Sequence, residues 1–202
     1  MTIKAQQIKD SAAIDWVDRA KALAPVIAAA ADRIESERRV PPDIMAAMHD
    51  AELFRMCLPR SLGGGEADPL TVMQTTEAIA SADASTGWCL SQGLGCSRSS
   101  AYLDLDVAQE IFGPPDAILA WGPPEGSVKA VVVDGGYRVM GKWRFASGIM
   151  NATWLGPHCP IFERDGNPRL DVTGKPALRT MIMPASSATI TDVWHVIGLN
   201  GT

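Results

Sequence analysis

The run Gly141-Lys142-Trp143-Arg144-Phe145-Ala146-Ser147-Gly148 places two large rings and a hydroxyl at every second position. On an extended strand alternate side chains share a face, so Trp143, Phe145 and Ser147 are expected to line one surface. A flat heteroaromatic laid there would stack on a ring and bond its edge nitrogen to the Ser147 hydroxyl, which both donates and accepts. A flavin has that shape and that edge. Trp121, Trp154 and Trp194 fall in the same half of the chain. Rings on strands are more often core than ligand platform, so burial is the reading any flavin assignment has to beat.

Other chemistries find less support. Cys57, Cys89, Cys96 and Cys159 have no Cys-x-x-Cys spacing and read as reduced thiols. His158 and Cys159 are neighbours, and neighbours on a strand point to opposite faces, so no metal site is expected. The chain has no Gly-x-Ser-x-Gly turn, no Gly-x-x-x-x-Gly-Lys-Ser/Thr loop and no strand–Gly-x-Gly-x-x-Gly–helix unit, so hydrolase, nucleotide-triphosphatase and Rossmann readings lose their motifs. Gly63-Gly64-Gly65 reads as a turn rather than an anion cradle, because no lysine follows it.

The elements that must carry these residues come in two blocks. Residues 11–113 read as helices and residues 116–195 as strands, broken by Gly113-Pro114-Pro115, which is an α+β order with domains at 1–115 and 116–202. Trp16, Ala20, Leu23, Ile27, Ala30 and Ile34 recur at helical spacing, and Pro25 is expected to kink or split that helix. Further helices are expected from Pro42, over Leu70–Ser81, over Thr86–Ser100 with Asp83 or Ser85 as cap, and from Asp104 or Asp106 to Gly113. Lys129–Val133 and Tyr137–Ala146 flank Asp134-Gly135-Gly136 as a hairpin. Strands at Ala117–Trp121, Thr153–Phe162, Leu178–Met183 and Thr189–Trp194 would complete a small barrel or sandwich.

Composition bounds the partners. A net charge of −5 and a pI of about 5.2 argue against a phosphate-neutralising surface, hence against nucleic acid. The apolar stretch Ala24–Ala31 lies between Lys21 and Asp32 and is too short to span a membrane. The run Met1–Gln7 reaches Lys9 with no signal-peptide core, so a cytoplasmic location is the default expectation.

Taken in order along the chain, several segments together resemble the acyl-CoA dehydrogenase superfamily: Pro59-Arg60-Ser61-Leu62-Gly63-Gly64-Gly65, the helix Thr76–Ala82, Asp83-Ala84-Ser85-Thr86-Gly87-Trp88, Gly135-Gly136-Tyr137, Gly141-x-Trp143-x-Phe145-x-Ser147-Gly148 and the closing Gly198-Leu199-Asn200-Gly201-Thr202. The resemblance implies an N-terminal helical domain, a middle β-barrel domain that holds flavin, and a C-terminal four-helix bundle. The chain stops where that bundle would begin. It is therefore expected to be a truncated piece, with the catalytic base and the main homo-oligomer interface outside it.

The stretch Trp121–Val128 matches a flavin-contacting segment of the dehydrogenases but lacks its Thr-Glu and Asp, which leaves Trp121 and Ser127 as expected contacts. Trp143, Phe145 and Ser147 look more like the two-component flavin hydroxylases of the superfamily, in which a serine lies near flavin N5. That branch has a tryptophan followed eight residues later by a histidine, near substrate and flavin. Trp88 matches the first; the second position is Cys96, a thiol poorly suited to relay protons. His49, His158 and His195 stand elsewhere and receive no role.

The implied function is hydroxylation of a small aromatic or heterocyclic molecule with O2 and reduced FMN or FAD, the reduced flavin coming from a flavin reductase. The alternatives are FAD-dependent desaturation of an acyl-CoA and a non-catalytic fragment.

Overall fold

The computed structural model describes residues 15–202; residues 11–14, counted above with the first helix, and the leading run Met1–Lys9 lie outside them. Helices come first. α1 (Trp16–Ala29) starts at Asp15, whose carboxylate accepts from the Asp18 amide at 2.9 Å. It is not split at Pro25, one of the two outcomes expected there, and ends at Ala30, before α2 (Ala31–Glu37). The proline forfeits one bond, to the Lys21 carbonyl, while buried Trp16, Ala20 and Ile27 on either side keep the helix seated on the core.

α3 (Pro42–Asp50) begins on a proline, which fits a first turn. α4 (Pro69–Ala82) is capped by Asp68, and α5 (Ala84–Ser97) by Asp83, whose Oδ1 accepts from the Thr86 amide at 2.7 Å. α5 ends three residues short of Ser100, and a 3-10 turn, Arg98–Tyr102, carries the chain to α6 (Leu105–Phe112). One cluster, with Ile27, Ile34, Met48, Leu53, Phe54, Ile79, Leu90 and Leu94 at its centre, joins α1 to α5.

The strands are β1 (Leu119–Ala120), β2 (Pro124–Val133), β3 (Gly136–Trp143), β4 (Trp154–Leu155), β5 (His158–Phe162), β6 (Leu178–Thr180) and β7 (Met183–Pro184). The β2–β3 hairpin turns at Asp134-Gly135 as its sequence requires, with Gly135 at φ 77°. The expected barrel is not formed: the described strands make two open sheets, ordered β1-β4-β7 and β3-β2-β5-β6. The reason lies in Gly156-Pro157, which splits the expected 153–162 strand into β4 and β5 and sends them to different sheets. The expected 189–194 strand is irregular chain. Among the described residues no helix is long and apolar enough to cross a membrane.

The core also sets a pH response. His49, on α3, packs on the Phe54 ring at 5.1 Å between centroids, and burial pushes its pKa down against the opposing pull of Asp116, the Pro115 backbone and Asp50. As pH falls below the unfolded value of about 6.5, the unfolded chain takes up a proton that the folded chain resists, so stability drops on the acid side. Comparing urea midpoints at pH 7 and pH 5.5, His49→Gln is expected to lose less stability on acidification than the native chain; equal losses would refute the assignment.

Candidate functional site

The run Gly141–Gly148 is where the chain leaves the sheet. β3 ends at Trp143; the Arg144 amide then donates to the Pro123 carbonyl at 3.2 Å, and Phe145 adopts a left-handed conformation at φ 54°. That turn breaks the two-residue period, so Trp143, Phe145 and Ser147 do not share one face. Trp143 faces inward against the Ala130, Cys159 and Ile161 cluster and its indole N–H donates to the His158 carbonyl at 3.1 Å. Phe145 is swung outward and is 65% exposed.

What the break achieves is a meeting of the two halves. Gly148, at φ 78°, carries the chain across α5, and the Ser147 Oγ accepts from the Trp88 indole N–H at 2.9 Å. Trp88 stands on the outer side of α5 and remains 45% exposed. The tryptophan expected on the substrate side and the serine expected on the flavin side are thus bonded directly. One lone pair of Ser147 is committed to Trp88, which leaves its O–H and a second lone pair for a ligand.

On the other flank of Phe145 stands Trp194, edge to face at 5.6 Å and 83°. Behind the turn lies Trp121-Gly122-Pro123. Gly122 is buried so closely that a Cβ there would sit 2.2 Å from the Arg144 carbonyl oxygen. The Trp121 ring packs on the His158 imidazole at 5.0 Å, and His158 Nδ1 lies 2.9 Å from the Thr180 hydroxyl. Ser127 is exposed on β2, beyond Glu125, whose carboxylate pairs with Arg144 at 2.6 Å. This ion pair is open to water and contributes little to stability.

Cys96 is fully buried with Leu58, Leu62, Ala108, Ile111, Phe112 and Leu119, and burial pushes its thiol up to about 12, with the Trp121 backbone pulling it back. It stays protonated at neutral pH. Cys89, which lies under Gly148, is likewise pushed up by burial to about 12. The crevice beneath Ser147 and Gly148, between Cys89, Phe54, Gly93 and Asn151, has room for about one water. A ligand larger than a water molecule that bonded to Ser147 would therefore lie outside that crevice.

The residue chemistry suits a flavin: Ser147 keeps a free proton and lone pair beside its bond to Trp88, and the Phe145 ring is exposed two residues away. Sequence reasoning found Trp88 and Ser147 separately but not their bond, which spans 59 residues and has no local signature. It also left Trp194 and Gly122 out of the site. The one signal for Gly122 was its place in the segment that resembles a flavin-contacting stretch.

The family of acyl-CoA dehydrogenase N-terminal domains matches residues 16–101. A flavin-dependent monooxygenase, oxygenase subunit HsaA, of Rhodococcus jostii is 35% identical over 92% of this chain and 47% of its own length. Indole-3-acetate monooxygenase of Pseudomonas putida is 33% identical over 83% of this chain and 41% of its own. Among solved structures, XiaF from Streptomyces sp., in complex with FADH2 and glycerol, superposes with a TM-score of 0.83 at 28% identity, over 93% of this chain and 46% of its own. The chain spans about half the length of the curated relatives it matches.

Proposed function

Because the chain belongs to the acyl-CoA dehydrogenase superfamily, we propose that it serves a flavin-dependent monooxygenase that hydroxylates a small aromatic or heterocyclic molecule, with reduced flavin supplied by a separate reductase. The observation that carries this reading is the Trp88–Ser147 bond beside an open phenylalanine ring. The balance is a substrate C–H, O2 and reduced flavin giving the hydroxylated product, water and oxidised flavin. Bound reduced flavin supplies the electrons and the activation of oxygen.

The residues of this chain bind and orient. Phe145 offers a stacking surface for the ring, and Ser147 presents its free proton and lone pair to the ring edge, held in direction by the Trp88 indole. Trp88, exposed beside Ser147, forms the border toward the substrate. The buried Cys96 thiol takes no part in moving protons at neutral pH.

Titrating the protein with FMN and with FAD, then measuring oxygen uptake with a flavin reductase and candidate phenols or indoles, tests the reading. Substrate-dependent oxygen uptake with a hydroxylated product is expected. Anaerobic bleaching of bound FAD by an acyl-CoA would overturn it in favour of desaturation.

A further inference from the structure

Within the irregular segment after residue 187, residues 192–195 and 200–201 are both tied to the helices, and Trp194 reaches across to Phe145. Arg38, at the end of α2, bonds the Asp192 carboxylate, lies 2.8 Å from His195 Nδ1 and reaches the Trp194 carbonyl at 3.4 Å. Farther on, the Asn200 amide donates to the Glu35 carbonyl at 3.1 Å, and the Gly201 amide donates to the Ser85 hydroxyl at 3.2 Å. Between these anchors the chain closes on itself: the Trp194 indole N–H donates to the Leu199 carbonyl at 2.9 Å. The ring so fixed stands edge-on against Phe145.

Backbone strain marks the same path. The non-glycine residues with positive φ include Arg38 at 53°, Leu199 at 53° and Phe145 at 54°. Such conformations persist where the surroundings over-determine them, and here they stand at the anchor, the loop and the wall. Phe145 is 65% exposed, so few contacts besides the Trp194 edge hold its ring.

We propose that Arg38 is a positioning residue for the flavin wall, acting through the 192–201 loop and Trp194 on Phe145. The inference rests on the flavin-dependent reading above. Arg38 touches no part of the wall itself; its guanidinium satisfies a carboxylate, an imidazole and a carbonyl of one loop, and that loop presents the indole.

The test is a double-mutant cycle on FMN affinity with Arg38→Gln and Trp194→Ala, alongside amide hydrogen exchange of residues 192–201 without flavin. Arg38→Gln is expected to weaken FMN binding about threefold and to speed exchange in the loop; in the Trp194→Ala background the same change should add nothing. Trp194→Phe, which keeps a ring edge, should retain most of the affinity. A purely structural Arg38 would give multiplying effects, and that result overturns the proposal, as does unchanged exchange in Arg38→Gln. If the native chain binds FAD and not FMN, the cycle is run with FAD; if it binds neither, the flavin reading fails, while the exchange measurement still decides whether Arg38 orders the loop. Should Arg38→Gln not fold, Asp192→Ala removes the same contact from the loop side and enters the cycle in its place.

Discussion

Replacing Gly122 by alanine is expected to abolish flavin binding and to lower the unfolding free energy by about 1–3 kcal/mol. The added methyl would lie 2.2 Å from the Arg144 carbonyl oxygen and 3.2 Å from the Ala146 amide nitrogen, both backbone atoms of the turn that carries Phe145 and Ser147. Backbone cannot swing aside as a long side chain does, so the 121–123 and 144–146 segments must part. The Arg144 amide to Pro123 carbonyl bond goes with them. Ser147 then loses its place beside Trp88. Thermal unfolding and an FMN titration read both effects; a variant that melts and binds like the native chain would show that the two segments are not in close contact.

Ser147→Ala is expected to act on binding and hardly on folding. The side chain is half-buried, its one hydrogen-bond partner among the described residues is the Trp88 indole, and Trp88 is 45% exposed, so water replaces the lost acceptor. A net hydrogen bond to the ligand is worth about 1 kcal/mol, or roughly fivefold in flavin affinity. Ser147→Thr keeps the hydroxyl and should keep most of that affinity. With reductase and substrate present, Ser147→Ala is also expected to release more hydrogen peroxide per oxygen consumed. An unchanged affinity together with unchanged peroxide release would remove Ser147 from the site.

The helical half was legible because its signals are local. Asp83 caps the helix it precedes, and the apolar spacing from Trp16 to Ile34 marks the buried face. Pro25 does not split its helix because one lost bond is small beside the burial of the residues around it. In the β half the alternation along Tyr137–Trp143 held only while the chain stayed in the sheet. The left-handed Phe145 sits between residues with no glycine beside it, so nothing local announces that the strand ends two residues earlier. The split at Gly156-Pro157 was readable as a breaker, but which sheet each piece would join depends on pairings with β1 and β2, far along the chain. The site shows the same limit: its residue types were visible, whereas the bond that joins Trp88 to Ser147 is a product of tertiary packing alone.

The bonds that seat the 192–201 loop connect residues far apart in synthesis: Arg38 with Asp192 across 154 positions, Glu35 with Asn200 across 165 and Ser85 with Gly201 across 116. At ribosomal rates of about 5–20 residues per second, the helices emerge on the order of ten seconds before the partners they will hold. The notch beside Ile34 and Ser85 is too narrow for any residue larger than the glycine that fills it. Trp194, the edge-on neighbour of Phe145, is thus hung on a few long-range polar bonds that cannot form until residues 192–201 have been made, and bonds of that kind are among the first to open on warming.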